Sequence, residues 1–296
     1  MGPSPALRLE PPPPAPGGAV LPIGGYLDTD RDGYLVNPCA LDRIRPPWGA
    51  AVEAVAAACE EQLGSRLDGL YLRGSAARGE AVEGRSDLDL VAVLRGPAGV
   101  DPEWTRELAA AAGRRFPFLA GVELQPLALE RLNAPGPAAE GWRFLLATQS
   151  VCVCGEDLIP RLGRFRIGPE AVIYAPSLAR DLRSFLGGLD GADPEDVPGA
   201  CRWIMKRSIR AGFELVMTRE GRYTRDLYPC YRSLIRHYPE RAGLAAAALT
   251  LAIEPVADRE AVAAVAAGFG GWLVRELARR PPPGVPADGG ASDADD

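Results

Sequence analysis

One change of periodicity constrains this chain most. Up to about residue 155, short apolar runs of strand length alternate with helical patterns; from about 176 only helical patterns remain. In the first part, "WGAAVEAVAAACEEQL" (48–63) repeats its apolar residues at helical spacing. "DGLYLRG" reads as a strand ending in glycine, "SAARGEAVEG" as a short helical turn ending at Gly84, and "DLDLVAVL" as a strand. "PEWTRELAAAAGRRF" opens on proline and an acid, as helices do. "VELQPLAL" continues as strand, "GWRFLLATQS" as helix and "VCVCG" as a last short strand. Such alternation requires a sheet layered with helices. The later part holds "PSLARDLRSFLGGL", the longer "DVPGACRWIMKRSIRAGFELVMT", at least one helix in "YPCYRSLIRHYPERAGLAAAALTLAI", and "REAVAAVAAGFGGWLVRELARR". The division predicts two domains, 21–155 and an all-α domain over 160–280, parted near "RLGRFRIGPE". Residues 1–20, rich in Pro, Gly and Ala, and the acidic tail 281–296 are expected to be disordered.

Composition removes several functional classes. A net charge of −6 argues against general binding of duplex DNA by the whole surface. No apolar run approaches bilayer-spanning length, and the N-terminal stretch lacks the apolar core of a secretory signal. A cytoplasmic protein without a membrane partner is expected. The cysteines at 39, 59, 152, 154, 201 and 230 form no CxxC pair and no metal-ligand spacing, so free, mostly buried thiols are expected. Asp28, Asp30, Asp32 and Gly33 imitate the first half of an EF-hand loop. The twelfth position, however, is Cys39 where a bidentate glutamate is needed, and a turn of solvated acids is the expectation.

The chemistry concentrates in "YLRGSAARGEAVEGRSDLDL" (71–90). Asp87 and Asp89 open a run that otherwise reads as a buried strand. Side chains two apart on a strand share a face, so the two carboxylates project together while Leu88 and Leu90 turn into the core. Paired carboxylates repel and resist leaving water unless something compensates. A hard cation such as Mg²⁺ does so. Twelve residues before Asp87 lies Ser75, preceded by Gly74. Glycine at a strand-to-helix turn lets backbone approach a ligand, and the serine is placed to cap the helix, whose first N–H groups favour anions. A phosphate cradle beside a metal-binding pair points to a nucleoside triphosphate with its Mg²⁺.

A strand ending in Gly74-Ser75, a short helix, then Asp87-Leu88-Asp89 on the next strand resembles the DNA polymerase β-like nucleotidyltransferase superfamily. "GSAARGEAVEGRSDLDL" looks especially like its small bacterial branch, which includes aminoglycoside adenylyltransferases and minimal nucleotidyltransferases. The resemblance implies an α+β fold, a mixed sheet with helices followed by an all-α bundle. It implies an enzyme that transfers a nucleoside monophosphate, AMP from ATP, to an acceptor hydroxyl with two Mg²⁺ ions. Asp87 and Asp89 would hold metal, and Ser75 a leaving phosphate oxygen. Glu123 in "GVELQPL" would be the third carboxylate, completing the metal shell or accepting the acceptor's proton. Arg73 and Arg78 flank the glycine-serine turn, where each could meet a phosphate or an acid of the site or simply solubilise.

Of the 33 basic residues, all but Lys206 are arginine. Arg202, Lys206 and Arg210 recur every four residues on one helical stripe, beside an apolar stripe of Met205, Ile209, Phe213 and Val216. The resemblance implies a lysine from the helical domain on the outer phosphates, and Lys206 occupies a matching place; a solvated basic face is the other reading. Tyr223, Arg225, Asp226 and Tyr228 either line the acceptor side of the cleft or pack between helices. Two other functions compete. Arg232 and His237, an Arg-x4-His, resemble the ribonuclease motif of HEPN domains, which would make the chain a toxin–antitoxin-type fusion acting on protein or RNA. A non-catalytic nucleotide-binding regulator could use the same fold.

Overall fold

The computed structural model describes residues 20–282. The N-terminal and C-terminal stretches expected to be disordered lie, apart from Val20, Pro281 and Pro282, outside the described residues. Four strands form one mixed sheet: β1 (Leu67–Arg73), β2 (Leu88–Leu94), β3 (Val122–Ala128) and β4 (Ser150–Gly155), in the order β3-β2-β1-β4. β1 runs antiparallel to both β2 and β4, while β2 and β3 are parallel. A parallel pair needs a crossover, and α3 (Pro102–Arg115) supplies it. Its first turn is capped by Asp101, whose side chain accepts from Glu103 N. The fold class is therefore α+β.

Alternation along the strands separates two cores. Leu70, Leu72, Leu88, Leu90 and Ala92 face α1 (Trp48–Leu63) and α3, and all are buried. Tyr71, Val91, Val93 and Leu127 face the other way, against Leu132 of α4 (Leu129–Asn133) and Leu146 of α5 (Pro137–Gln149). Pro126 sits in β3, an edge strand, where a missing N–H is tolerated. The helix expected over 75–84 is shorter. α2 spans Gly74–Arg78 and ends because Gly79 takes φ +74°, the left-handed stop that glycine supplies.

The remaining helices share a third core. They are α6 (Leu178–Leu189), α7 (Val197–Glu214), α8 (Met217–Glu220), α9 (Leu227–His237), α10 (Ala242–Ile253), α11 (Arg259–Val265) and α12 (Gly271–Arg279). α7 is central: Ile204, Met205 and Ile209 are fully buried. A Cβ on Gly212 would stand 2.8 Å from Leu234 Cδ2, so glycine allows α9 to approach this closely. Phe144 of α5 also enters this core, edge-on to Tyr223 at 5.0 Å. One π-helical turn, Ala266–Gly270, joins α11 to α12 in a continuous helix, Arg259–Arg279. By length and composition that helix is apolar enough to span a bilayer, which corrects the expectation that nothing approaches that length. Val262, Ala266, Phe269 and Leu273 bury its apolar side in the bundle.

Candidate metal and phosphate site

Strand register sets the site. Glu123 on β3, Asp89 on β2, Arg73 on β1 and Ser150 on β4 are successive cross-strand partners, a single row across the sheet. On this face the inner part of the sheet is apolar (Tyr71, Val91, Val93), and the row at its end is charged. Asp87 precedes β2 by one residue and projects with Asp89. Oxygens of Asp87, Asp89 and Glu123 lie within 4.8 Å of one another, an arrangement that could hold a metal ion. Burial first, and the neighbouring Asp89 charge second, push the Asp87 carboxyl above the ordinary aspartate range. Glu123 is exposed along its length, yet loss of solvent around its carboxyl, then Asp89 and Asp87, push it up too. In both, burial and the neighbouring acids favour the protonated form.

Gly74 takes φ +75°, and a Cβ there would stand 2.5 Å from Asp89 Oδ2. Glycine is thus required twice, by its own backbone and by the aspartate lying over it. Ser75 does not cap α2, contrary to expectation. Gly74 already begins the helix, Arg73 is its N-cap residue, and no side chain caps it. The Ser75 hydroxyl instead donates to Ser86 Oγ at 3.0 Å, which also accepts from Val82 N at 3.0 Å. Ser75 therefore ties down the loop that delivers Asp87. Arg78 pairs with Glu80 (2.8 Å) and with Asp226 of the helical part (3.1 Å), bridging the two parts of the chain.

α7 brings cations to the acids. Lys206 is half-buried. Burial and Arg210 depress its ammonium below the usual lysine range, against the opposing pull of Asp87 and Asp89. Arg202 and Lys206 in turn both favour ionised Asp87. The every-fourth-residue stripe of 202, 206 and 210 continues to Glu214, which the sequence reading did not single out. Glu214 is 3% exposed and its carboxylate accepts from Ile173 N (2.8 Å), Tyr174 N (3.0 Å) and Ala175 N (2.7 Å). Burial pushes it up to about 7 despite those three donors. By holding 173–175 it fixes Tyr174, also missed, whose hydroxyl accepts from Arg225 and, at 3.4 Å, from Arg210. Burial alone would raise this phenol, but Arg210, Arg225 and Arg73 together hold it below its ordinary value.

The other sequence candidates fall elsewhere. Asp30 Oδ1 accepts from Asp32 N and Tyr34 N and its carboxylate pairs with Arg164, so the aspartate-rich loop is a self-bonded turn. All six cysteines are free thiols. Arg232 and His237, five apart on α9, project about 140° apart around the helix. Arg232 lies over the Tyr228 ring, and His237 Nε2 bonds Glu220 at 2.7 Å. Tyr223 is buried between helices, and Asp226 accepts from Gly25 N.

No protein-family model matches the chain, and no curated protein sequence does. What the geometry defines is an α+β protein with a trio of carboxylates close enough together to hold a metal ion. Beside the trio stands a row of cations drawn from both the sheet and the helical bundle.

Proposed function

We propose that the chain is a Mg²⁺-dependent nucleotidyltransferase of the polymerase β-like type, moving AMP from ATP to a hydroxyl of an acceptor. One observation carries the reading: Asp87, Asp89 and Glu123 converge at the end of the sheet while Lys206 faces them from α7. Three hard oxygen donors, two of them pushed toward protonation, suit Mg²⁺. Asp87, Asp89 and Glu123 would hold the ion, which when bound would supply charge neutralisation at the transferring phosphoryl group.

The chain's own residues do the rest. Gly74 makes room for the Asp89 carboxylate, and Ser75 steadies the loop before Asp87. Lys206 and Arg210 receive negative charge on the bundle side. The acceptor oxygen bonds to the α-phosphorus as the bond from that phosphorus to the bridging oxygen breaks. Pyrophosphate leaves, and the acceptor's proton passes to Glu123, the carboxylate at the open edge of the trio.

The test measures pyrophosphate release with each Mg²⁺–triphosphate, followed by mass spectrometry of modified acceptors. An aminoglycoside-like small molecule is the first acceptor to try. Wild type should release pyrophosphate, and Asp87→Asn or Asp89→Asn should lower the rate on the order of 10³-fold. Apo Asp87→Asn should melt ~2–4 °C higher, since it removes a buried charge that Asp89 repels. Equal turnover by the variants would end the proposal.

A further inference from the structure

A cavity of ≈ 230 Å³ lies among three segments that are far apart in the chain. They are the hairpin 25–38, closed by the Thr29–Leu35 bridge, then Arg78 and Glu80 at the end of α2, and Gln149 with residues 224–226. None of Asp87, Asp89, Glu123 and Lys206 lines it, so it is separate from the site described above. Its walls carry three acids, Asp28, Glu80 and Asp226, and three bases, Arg43, Arg78 and Arg225. Within that set Arg78 is taken by Glu80 and Asp226, and the other oxygen of Asp226 by Gly25 N at 3.0 Å. Those bonds tie the three segments into a frame. One acid and two bases are left over. Asp28 and Arg43 form no ion pair among the described residues. Arg225 gives a terminal nitrogen to the Tyr174 hydroxyl, but its Nε is buried without a hydrogen-bond partner. Gln149 is buried too, and its amide nitrogen makes only long bonds, 3.3 Å to Thr148 and 3.4 Å to Tyr223.

A guest with only negative charge would face three acids here, and one with only positive charge three arginines. A molecule that carries both signs finds a partner for each. The cavity is smaller than the ~300–1,000 Å³ of drug-sized pockets, so its guest is a small molecule. We infer that it binds a free α-amino acid with an uncharged polar side chain. The α-carboxylate goes to Arg43 and to Arg225 Nε, a buried donor that is costly until an acceptor reaches it. The α-ammonium goes to Asp28, and the side-chain amide or hydroxyl to Gln149. Leu27, Val36 and Pro38 give the short carbon chain apolar walls. Such a guest touches the hairpin, the end of α2 and the segment before α9 at once, so its binding stabilises the folded chain. The inference does not rest on the transferase reading.

Calorimetry and thermal shift on the full chain test this, with L-glutamine, L-asparagine, L-serine and L-threonine as probes. Each is offered free, as its N-acetyl derivative, which lacks the ammonium, and as its α-carboxamide, which lacks the carboxylate. At least one free amino acid should bind one to one and raise Tm. Its two derivatives should each bind about tenfold more weakly, the loss of one charged contact. Asp28→Asn should erase the preference over the N-acetyl derivative, and Arg43→Gln the preference over the carboxamide. Both positions are exposed, so both variants should fold. Absence of binding by wild type would overturn the site, as would a derivative that binds as well as its parent, or affinity unmoved by both variants. Amino-acid binding without pyrophosphate release from any triphosphate would uphold the site and count against the transferase reading alone. Release without amino-acid binding would do the reverse.

Discussion

The sheet and the helical bundle each bring charge to the same seam, of opposite sign and by different means. The sheet brings Asp89 and Glu123 on two paired strands, where register sets them opposite each other, and Asp87 one residue ahead of β2. The bundle brings Arg202, Lys206 and Arg210 at four-residue intervals along α7, with Arg225 beyond it. Strand pairing fixes the acids whatever the bundle does, and it leaves them repelling one another. The cations owe their aim to tertiary contacts, chiefly Glu214 and Tyr174. Neither part is electrically satisfied alone, and docking offsets part of both costs. The acids should therefore fail through local sterics, and the cations through the support behind them.

The sharpest way to break the sheet side is Gly74→Ala. The new Cβ would stand 2.5 Å from Asp89 Oδ2, and φ +75° is unfavourable for alanine by ~1–2 kcal/mol. Asp89 must rotate away, and a displacement of about 1 Å in such a site costs on the order of 10²-fold in rate. Transferase kinetics and a Mg²⁺ titration check this together. Activity within a few-fold of wild type would mean that the acid pair does not depend on the glycine turn.

Glu214→Gln breaks the support on the bundle side and touches neither acid nor substrate. An amide nitrogen cannot accept, so one of the N–H groups of Ile173 or Ala175 is left buried and unpaired, at ~1–3 kcal/mol. The pH dependence gives a second readout. Glu214 sits near 7 in the folded chain against 4.5 ordinarily, so the folded state holds its proton more tightly than the unfolded state. Wild-type stability should then fall as pH rises from about 4.5 to 7, and the variant should lack that slope. Chemical denaturation at several pH values measures both effects.

The same contrast explains what could be read from the chain. Helix 48–63 and the strand beginning at Leu88 follow from local periodicity, and the parity of Leu88 and Leu90 placed Asp87 and Asp89 on one face. Glu123 was named through the family resemblance, and strand register then sets it opposite Asp89. Lys206 stood out because the chain otherwise uses arginine. Tyr174 was invisible: it lies in the aperiodic stretch between β4 and α6, and only Glu214 and three distant arginines give it a place. Glu214 continued the stripe of 202, 206 and 210, but an acid near a helix end ordinarily reads as solvated. Ser75 was misread because Gly74 opens the helix one residue early, which turns the expected cap into a clasp on Ser86. Parity along a strand is local information, whereas the company a loop tyrosine keeps is not.

Lys206→Ala probes the contrast from between the two sides and should have the smallest effect. Loss of one half-buried cation facing the phosphates should raise KM for the nucleotide about tenfold, near 1.4 kcal/mol, with kcat little changed. A lost packing contact could give the same KM, so the pH profile decides. Lys206 favours the ionised forms of Asp87 and Glu123, against burial and mutual repulsion that push both up. Removing it raises their affinity for protons further, and protons then compete with Mg²⁺ at higher pH. The acid limb of the rate profile should move to higher pH in Lys206→Ala and return toward wild type in Lys206→Arg, which restores charge at the same place. An acid limb unmoved by the alanine would mean that the bundle's lysine and the sheet's acids are neighbours without being coupled.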